Sequence, residues 1–161
     1  MNAVAAKSDT RSTPSSAPLD ALLRFYAAEE HYAASGRNDF APIAATLHPD
    51  IVLYQPESLP YGSTWRGLAG FETWMKAFTA SWSLVRPRDP VFYQPDDQTL
   101  ISTVTMEAQS RATGRMVQMP MCQVLKIKNG LPIEWRNFAW DTAQLNAALA
   151  HPSPAGTASV S

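Results

Sequence analysis

The periodicity of the chain changes at about Leu84 from helical to strand-like, and this change limits the possible folds more than any other feature. Turn-forming sequences separate the strand-like segments, and the last of these turns is Asn129-Gly130, a pair that favours a type I′ hairpin. Strands joined by short turns form an antiparallel sheet. The predicted strands are VFYQ, TLISTVTMEAQS, MVQMPMCQVLKIK and LPIEWRNFAW.

Helical patterns dominate the residues before this sheet. A first helix is predicted from a cap at Asp20 to Gly36, and a short second helix is predicted in NDFAPIAATL. The strand IVLYQ, the loop PESLPYGSTWRG and a third helix, GLAGFETWMKAFTASW, follow. A short helix from Asp141 to Ala150 closes the chain. This order predicts an α+β fold: a curved antiparallel sheet with three helices in the N-terminal half, which enclose an internal cavity, and a short C-terminal helix.

The two ends of the chain differ in composition from the middle. Residues 1–17 and 151–161 are rich in Ser, Thr, Ala and Pro, so we expect a disordered leader, one folded domain over residues 18–150, and a disordered tail. The sequence has neither a signal-peptide pattern nor an apolar run as long as a membrane span, which predicts a cytoplasmic protein. The net charge of −1 predicts no nucleic-acid or membrane partner.

The strand MVQMPMCQVLKI is apolar on both of its faces. One face carries Val117, Met119, Met121, Leu125 and Ile127, and the other carries Met116, Cys122 and Val124. Apolar residues on both faces indicate burial on both sides of the sheet. We therefore expect a homodimer formed through the outer face of the sheet.

Glu57 stands in QPESLPYGSTWRG, where an apolar strand passes into a loop with two prolines. A carboxylate at a cavity mouth beside Tyr54, Tyr61 and Trp65 would be partly desolvated, and its raised pKa would suit a general acid or base. Alternatively, Glu57 accepts hydrogen bonds from loop amides or pairs with Arg66 and only stabilises the loop.

Two further carboxylates have both a structural and a functional interpretation. Asp141 lies where the last strand meets the last helix, and Gln144 three residues later completes a capping-box pattern. Glu107 alternates with Thr103 and Thr105 on one strand face, which faces either solvent or the cavity as a polar wall.

Aromatic and methionine side chains are mostly candidates for the core. A cavity that they line would suit an apolar, ring-bearing ligand, and the candidates for ligand contact include Tyr54, Tyr61, Trp65, Met119 and Trp140. No group of histidines, cysteines and carboxylates has metal-ligand spacing, and no glycine-rich phosphate loop is present. We therefore predict no metal site and no cofactor.

Three stretches carry a resemblance to a known family: SGRNDFAPIAATLHPDIVLYQP, LPYGSTWRGLAGFETWMKAF and FAWDTAQL. Together with the element order, they resemble the SnoaL-like, nuclear transport factor 2-like superfamily of cone-shaped α+β domains over about residues 19–149. That superfamily includes isomerases, polyketide cyclases, dehydratases, epoxide hydrolases and binding proteins without catalytic activity, so the resemblance implies a fold and several possible functions.

Residue by residue, the resemblance implies different things for each activity. Ketosteroid isomerases of this fold carry their general base where Gln55 stands here, so Glu57 becomes a displaced candidate for that role. They also carry a hydrogen-bond-donating tyrosine on the first helix, which implies a role for Tyr26 or for the aligned Glu29. The family's cyclases use an acidic residue from the sheet, which implies a possible catalytic role for Asp141.

Two activities of the superfamily lack their motifs here. No Arg-x-Asp of the epoxide hydrolases lies on a predicted strand, because Arg88 and Asp89 are adjacent. The paired sheet histidines of the dehydratases are also missing, since the histidines lie outside the predicted strands. These histidines are His31, His48 and His151.

These observations predict an enzyme that converts a hydrophobic small molecule by acid/base chemistry without a cofactor, through isomerisation, aldol-type cyclisation or dehydration. Glu57 would transfer the proton, and Tyr61 or Tyr26 would donate a hydrogen bond to the developing oxyanion. The alternative is a ligand-binding or scaffold domain of the same fold that has no catalytic activity. The two interpretations differ in whether Glu57 faces the cavity.

Overall fold

The computed structural model describes residues 16–34, 36–37 and 39–150. The predicted leader and tail lie outside these residues, except that Ser16 and Ala17 belong to the first helix. None of the helices in the described part is long and apolar enough to cross a membrane. The elements in chain order are α1 (Ser16–Ala34), α2 (Ala41–Ala44), β1 (Val52–Tyr54), β2 (Thr64–Arg66), α3 (Gly67–Ser81), β3 (Trp82–Asp96), β4 (Thr99–Ser110), β5 (Met116–Lys128), β6 (Leu131–Ala139) and α4 (Thr142–Leu149).

The six strands form one curved, unclosed sheet in the order β2-β1-β6-β5-β4-β3. Three helices lie in the N-terminal half and one short helix closes the chain, so the predicted α+β fold is confirmed. The Asn129-Gly130 turn is also confirmed, because both residues adopt the positive φ that a type I′ turn requires, 52° and 75°.

Three details of the sheet and helices differ from the prediction. β1 pairs with β6 in parallel, whereas the other neighbouring strands are antiparallel. β2 lies in a segment predicted as loop, because three residues are too few to show an alternating pattern. The prediction that Asp20 caps α1 is wrong, since the helix includes Ser16 and Asp20 lies inside it.

β3 is longer than the predicted segment VFYQ and begins at Trp82. Its first half contains Pro87 and Pro90, which are rare in strands, so the sequence pattern did not predict a strand there. Both prolines are tolerated because β3 is the edge strand of the sheet, where one row of backbone N–H groups needs no partner. The strand pairing is irregular between Arg88 and Val91, where Asp89 has a φ of 49°.

The two faces of the sheet have different neighbours. On β4 the even-numbered residues, such as Val104 and Met106, are buried, and β5 and β6 continue this inner face toward α1 and α3. The opposite, outer face exposes Phe138 by 52% and Trp140 by 85%. That this face joins two copies of the chain stays a prediction.

Candidate functional site

A cavity of about 110 Å³ lies between the inner face of the sheet and the helices α1 and α3. Its wall is mainly apolar, with Met106 and Met121 from the sheet. Polar side chains interrupt this wall at a few points, as is usual in small-molecule sites. The aromatic lining residues are Phe25, Tyr26, Tyr61, Phe71, Trp74, Phe78 and Trp135, and the remaining polar ones are Glu29, Gln55, Gln123 and Asn137.

Helix α1 brings Tyr26 and Glu29 to the cavity together. The two residues are three positions apart and therefore lie on the same side of the helix. Leu22 and Phe25 on the adjoining face are buried in the core, which fixes the rotation of the helix. Tyr26 and Glu29 consequently lie at the border of the buried face and are only partly exposed.

A short chain of hydrogen bonds crosses the cavity wall from helix to sheet. The Tyr26 hydroxyl donates to Gln123 Oε1 at 3.4 Å, and Gln123 Nε2 donates to Asn137 Oδ1 at 2.9 Å. Gln123 and Asn137 face each other directly across β5 and β6. These bonds hold the two amide groups in one orientation beside Tyr26.

The carboxylate of Glu29 lies in the cavity without a neutralising partner. Burial, and to a lesser extent the nearby charge of Glu30, raises its pKa from 4.5 to about 7. No hydrogen bond or ion pair joins this carboxylate to another side chain in the described ranges. Glu29 therefore exchanges a proton near neutral pH, as a general acid or base must.

The two tyrosines stay protonated and can donate hydrogen bonds. Burial, followed by the charge of Glu29, raises the pKa of Tyr26 well above its ordinary value. Burial also raises the pKa of Tyr61 to about 12, although the hydrogen bond from Trp82 opposes this shift. Trp82 Nε1 donates to the Tyr61 hydroxyl at 3.1 Å, so the hydroxyl proton of Tyr61 is available to a ligand.

Glu57 is exposed and is not among the residues that line the cavity. The backbone does not stay extended beyond β1: Leu59 N donates to Pro56 O at 3.1 Å, and Gly62 N donates to Leu59 O at 2.8 Å. A Cβ on Gly62 would lie 2.0 Å from Pro56 O, which shows how tightly the loop folds back on itself. This turn leaves Glu57 exposed, and it forms no ion pair with Arg66 among the described residues.

Asp141 is the N-cap of α4, as predicted. Its Oδ1 accepts hydrogen bonds from Ala143 N at 2.9 Å and from Gln144 N at 3.1 Å. Its own N–H donates to the Met119 sulfur at 3.2 Å, so the reciprocal bond of a capping box is replaced by a contact with β5. Asp141 does not line the cavity, and its carboxylate is committed to the helix end.

Glu107 and Tyr54 belong to the outer face of the sheet. Glu107 lies 3.3 Å from Arg88 and 3.9 Å from Arg86, so it faces outward rather than forming a polar cavity wall. The Arg136 guanidinium stacks over the Tyr54 ring at 4.0 Å. Neither side chain lines the cavity.

The other candidates for ligand contact divide between core and surface. Trp65 is partly buried and donates from Nε1 to Tyr61 O at 3.2 Å, which supports the loop behind the cavity. Met119 is fully buried beneath α4, and Trp140 is exposed on the outer face. Of the predicted site residues, the structure brings Tyr26, Glu29 and Tyr61 together at the cavity.

Sequence reasoning missed the contribution of Gln123 and Asn137 and treated Trp74 and Trp135 as core. A signal for the two amides was present: each is a polar residue on the otherwise apolar inner side of its strand. Gln55 lines the cavity and is 9% exposed, at the place where the resemblance puts an isomerase's base. An amide does not act as a base near neutral pH, so Gln55 cannot serve in that role.

The comparison with protein families agrees with this architecture. A family model described as SnoaL-like domain matches residues 28–135. No curated protein matches the sequence.

Solved structures show the same fold at low sequence identity. One is a nuclear transport factor 2-like protein of unknown function from Burkholderia pseudomallei, at 19% identity and a TM-score of 0.69, with 85% of this chain and 100% of that chain covered. Another, described as a candidate polyketide cyclase from Pseudomonas putida, has 19% identity and a TM-score of 0.63, with 81% of this chain and 96% of that chain covered. A third, described as a candidate isomerase from Rhodopseudomonas palustris, has 18% identity and a TM-score of 0.63, with 81% of this chain and 97% of that chain covered.

Proposed function

The chain belongs to the SnoaL-like domain family, and from this premise we propose that it converts a hydrophobic, ring-bearing small molecule by proton transfer in its cavity. The reaction class is isomerisation or aldol-type cyclisation. Names given to proteins of the same fold include candidate cyclases and isomerases, which supports this class of chemistry. The role first assigned to Glu57 passes to Glu29.

One observation carries the proposal: Glu29 is the only carboxylate lining the cavity within the described part of the chain. It has no cationic partner among the described residues, and burial brings its pKa to about 7. A structural glutamate on a helix is usually solvated or paired, because an unpaired buried charge is costly. A carboxylate held in this state near neutral pH matches the requirement for a general base.

The proposed step begins when ionised Glu29 removes a proton from the carbon next to a substrate carbonyl. The carboxylate gains the proton, and the electron pair of the broken C–H bond moves onto the carbonyl oxygen as an enolate. Donors in the cavity wall stabilise this oxygen, as an oxyanion hole does. In an isomerisation the enolate is conjugated with a neighbouring C=C bond, and Glu29 returns the proton to the far carbon of that bond. In a cyclisation the enolate carbon attacks a second carbonyl of the same molecule, and Glu29 returns the proton to the alkoxide oxygen that this attack forms.

Hydrogen–deuterium exchange tests this step without knowledge of the natural substrate. Small ring-bearing ketones, beginning with acetophenone, are incubated with the protein in D₂O, and loss of the α-proton signal is followed by NMR. We expect exchange above the buffer rate, and we expect Glu29→Gln to lower it by about a hundred-fold or more. Glu57→Gln is the matched control and should exchange like the unmodified protein.

The outcome also separates the enzyme from its alternative. If the ketones bind but the protein never accelerates exchange, the chain is a binding domain without catalytic activity. If Glu29→Gln exchanges as fast as the unmodified protein, the assignment of the base is wrong.

A further inference from the structure

Three side-chain amides lie next to one another on the sheet side of the cavity. Gln123 and Asn137 are direct neighbours on β5 and β6. In the parallel pairing of β1 with β6, Leu53 lies opposite Trp135. Two residues further along both strands, Gln55 therefore lies beside Asn137 on the same face, at the strand spacing of about 5 Å. All three amides line the cavity, and together they form the amide row.

Two members of the amide row have hydrogen-bonding groups that are free and open to the cavity. Asn137 Oδ1 accepts from Gln123 Nε2 at 2.9 Å, whereas Asn137 Nδ2 has no acceptor among the described residues. The side-chain amide of Gln55 has no partner there either. The enclosed, unpartnered polar atoms of the described ranges lie on other residues, so these amide groups border open space. Both residues are on the inner face and 9% exposed, so this space is the cavity.

The charge of the cavity wall limits the group that the amide row can bind. Within the part of the chain that the structure describes, no lysine, arginine or histidine lines the cavity, and Glu29 does. A carboxylate or phosphate in this place would be buried without a counter-charge, which is costly. An amide N–H₂ group donates hydrogen bonds and carries no net charge. The wall therefore favours a neutral oxygen, such as that of a ketone.

We propose that Asn137 and Gln55 donate hydrogen bonds to one neutral carbonyl oxygen of the substrate. This inference rests on the proposed function in taking the cavity as the substrate site, and it assigns the residues that recognise the oxygen. Glu29 comes from α1 and the two amides come from the sheet, so the base and the donors lie on different walls of the cavity. The amides then stabilise the negative charge that the oxygen gains in the enolate.

Three small probes of matched shape isolate the oxygen and its charge. Butanone carries a neutral carbonyl, 2-methyl-1-butene replaces its C=O by C=CH₂, and propionate replaces the methyl group beside the carbonyl by a charged oxygen. In the ¹⁵N-labelled protein, butanone should shift the side-chain N–H₂ signals of Asn137 and Gln55 downfield, and 2-methyl-1-butene should bind without that shift. Propionate should bind about ten-fold more weakly than butanone at pH 8, where Glu29 is ionised.

Leucine variants measure what each amide contributes, because leucine is similar in size and has no polar group. Asn137→Leu and Gln55→Leu should each raise the Kd for butanone about five-fold and should not raise that for 2-methyl-1-butene. Asn137→Leu also leaves Gln123 Nε2 without its acceptor, whereas Gln55→Leu removes no side-chain hydrogen bond in the described ranges and keeps the test decisive if the first variant does not fold. Gln118→Leu, at an exposed position of β5, is the matched control and should change neither value.

Four results would overturn the inference. The first is that butanone does not bind or shifts neither amide signal, and the second is that 2-methyl-1-butene shifts both signals equally. The third is equal affinity for propionate and butanone at pH 8. The fourth is a Kd for butanone that Gln55→Leu leaves unchanged, or a loss of affinity that it shows equally for 2-methyl-1-butene. Binding is measured independently of deuterium exchange, so a protein that binds butanone as expected without accelerating exchange contradicts only the proposed function.

Discussion

The carboxylates on the two faces of the sheet have opposite surroundings. On the outer face, Glu107 lies between Arg86 and Arg88, and Glu134 accepts a hydrogen bond from Arg136 Nε at 2.7 Å. On the inner side, Glu29 borders the cavity, forms no ion pair within the part of the chain that the structure describes, and has a pKa raised to about 7. The charge of a carboxylate is balanced by an arginine on the outer face, whereas the carboxylate at the cavity is neutral when it binds a proton.

This contrast shows how the fold produces a reactive group. An arginine beside a carboxylate favours the ionised form, whereas removal from water disfavours it. The outer carboxylates Glu107 and Glu134 each have an arginine partner for their charge. Glu29 is shielded from water without a counter-charge, so it gains and loses its proton near neutral pH.

Among the effects that test this contrast between the faces, the largest is the pH dependence of deuterium exchange. A general base acts only when ionised, so the rate should rise about fifty-fold between pH 5 and pH 7 and level off above pH 8, in step with a pKa of about 7 for Glu29. Exchange rates of the protein and of Glu57→Gln should follow the same curve. A rate that is flat from pH 5 to pH 8 would remove Glu29 from the mechanism.

The next effect is on stability, and its sign follows from the raised pKa. The folded state holds the Glu29 proton more tightly than the unfolded state, so the free energy of unfolding falls as the pH rises from 4.5 to about 7. Glu29→Gln removes this penalty. The variant should be more stable than the unmodified protein by about 2 kcal/mol at pH 8, an amount reduced for partial exposure.

Urea unfolding at pH 4 and pH 8 measures this difference. At pH 4 both states of the protein hold the proton, and the variant should have nearly the same free energy of unfolding as the unmodified protein. A variant that is destabilised at both values would show that Glu29 is a structural residue.

The smallest effect concerns the outer face. Glu107→Gln should lower the free energy of unfolding by only about 0.5 kcal/mol, because Arg86 and Arg88 are more than half exposed and water screens the pair. The loss should shrink further in about 1 M salt. Thermal or urea unfolding at two salt concentrations checks this, and a loss as large as that expected for Glu29 would contradict the contrast between the faces.

The fold was predictable wherever the periodicity was long. The bounds of β4 and β5 match the segments TLISTVTMEAQS and MVQMPMCQVLKIK, and α3 matches its predicted segment to within one residue. Local preference and tertiary packing agree in these elements. β2 was missed because its 3 residues are too few to show a strand periodicity. The first half of β3 was missed because Pro87 and Pro90 are rare in strands other than edge strands.

The candidate site was predictable only in part, since it depends on where side chains meet. Three of the predicted site residues, Tyr26, Glu29 and Tyr61, line the cavity. Glu57 was the favoured base because it lies close in sequence to three aromatic residues. The tight turn at Gly62 leaves it exposed instead, and a sequence pattern does not report the direction of a loop side chain.

By itself, the sequence determined the fold class, the end of α3, the Asn129-Gly130 hairpin and the capping role of Asp141, because each depends on residues close together in the chain. Only the tertiary structure decided which carboxylate and which side-chain amides border the cavity. Those properties come from burial and from contacts between residues far apart in sequence. Glu29 on α1 becomes a candidate base because α1 lies against β4 and β6, two strands that come much later in the chain.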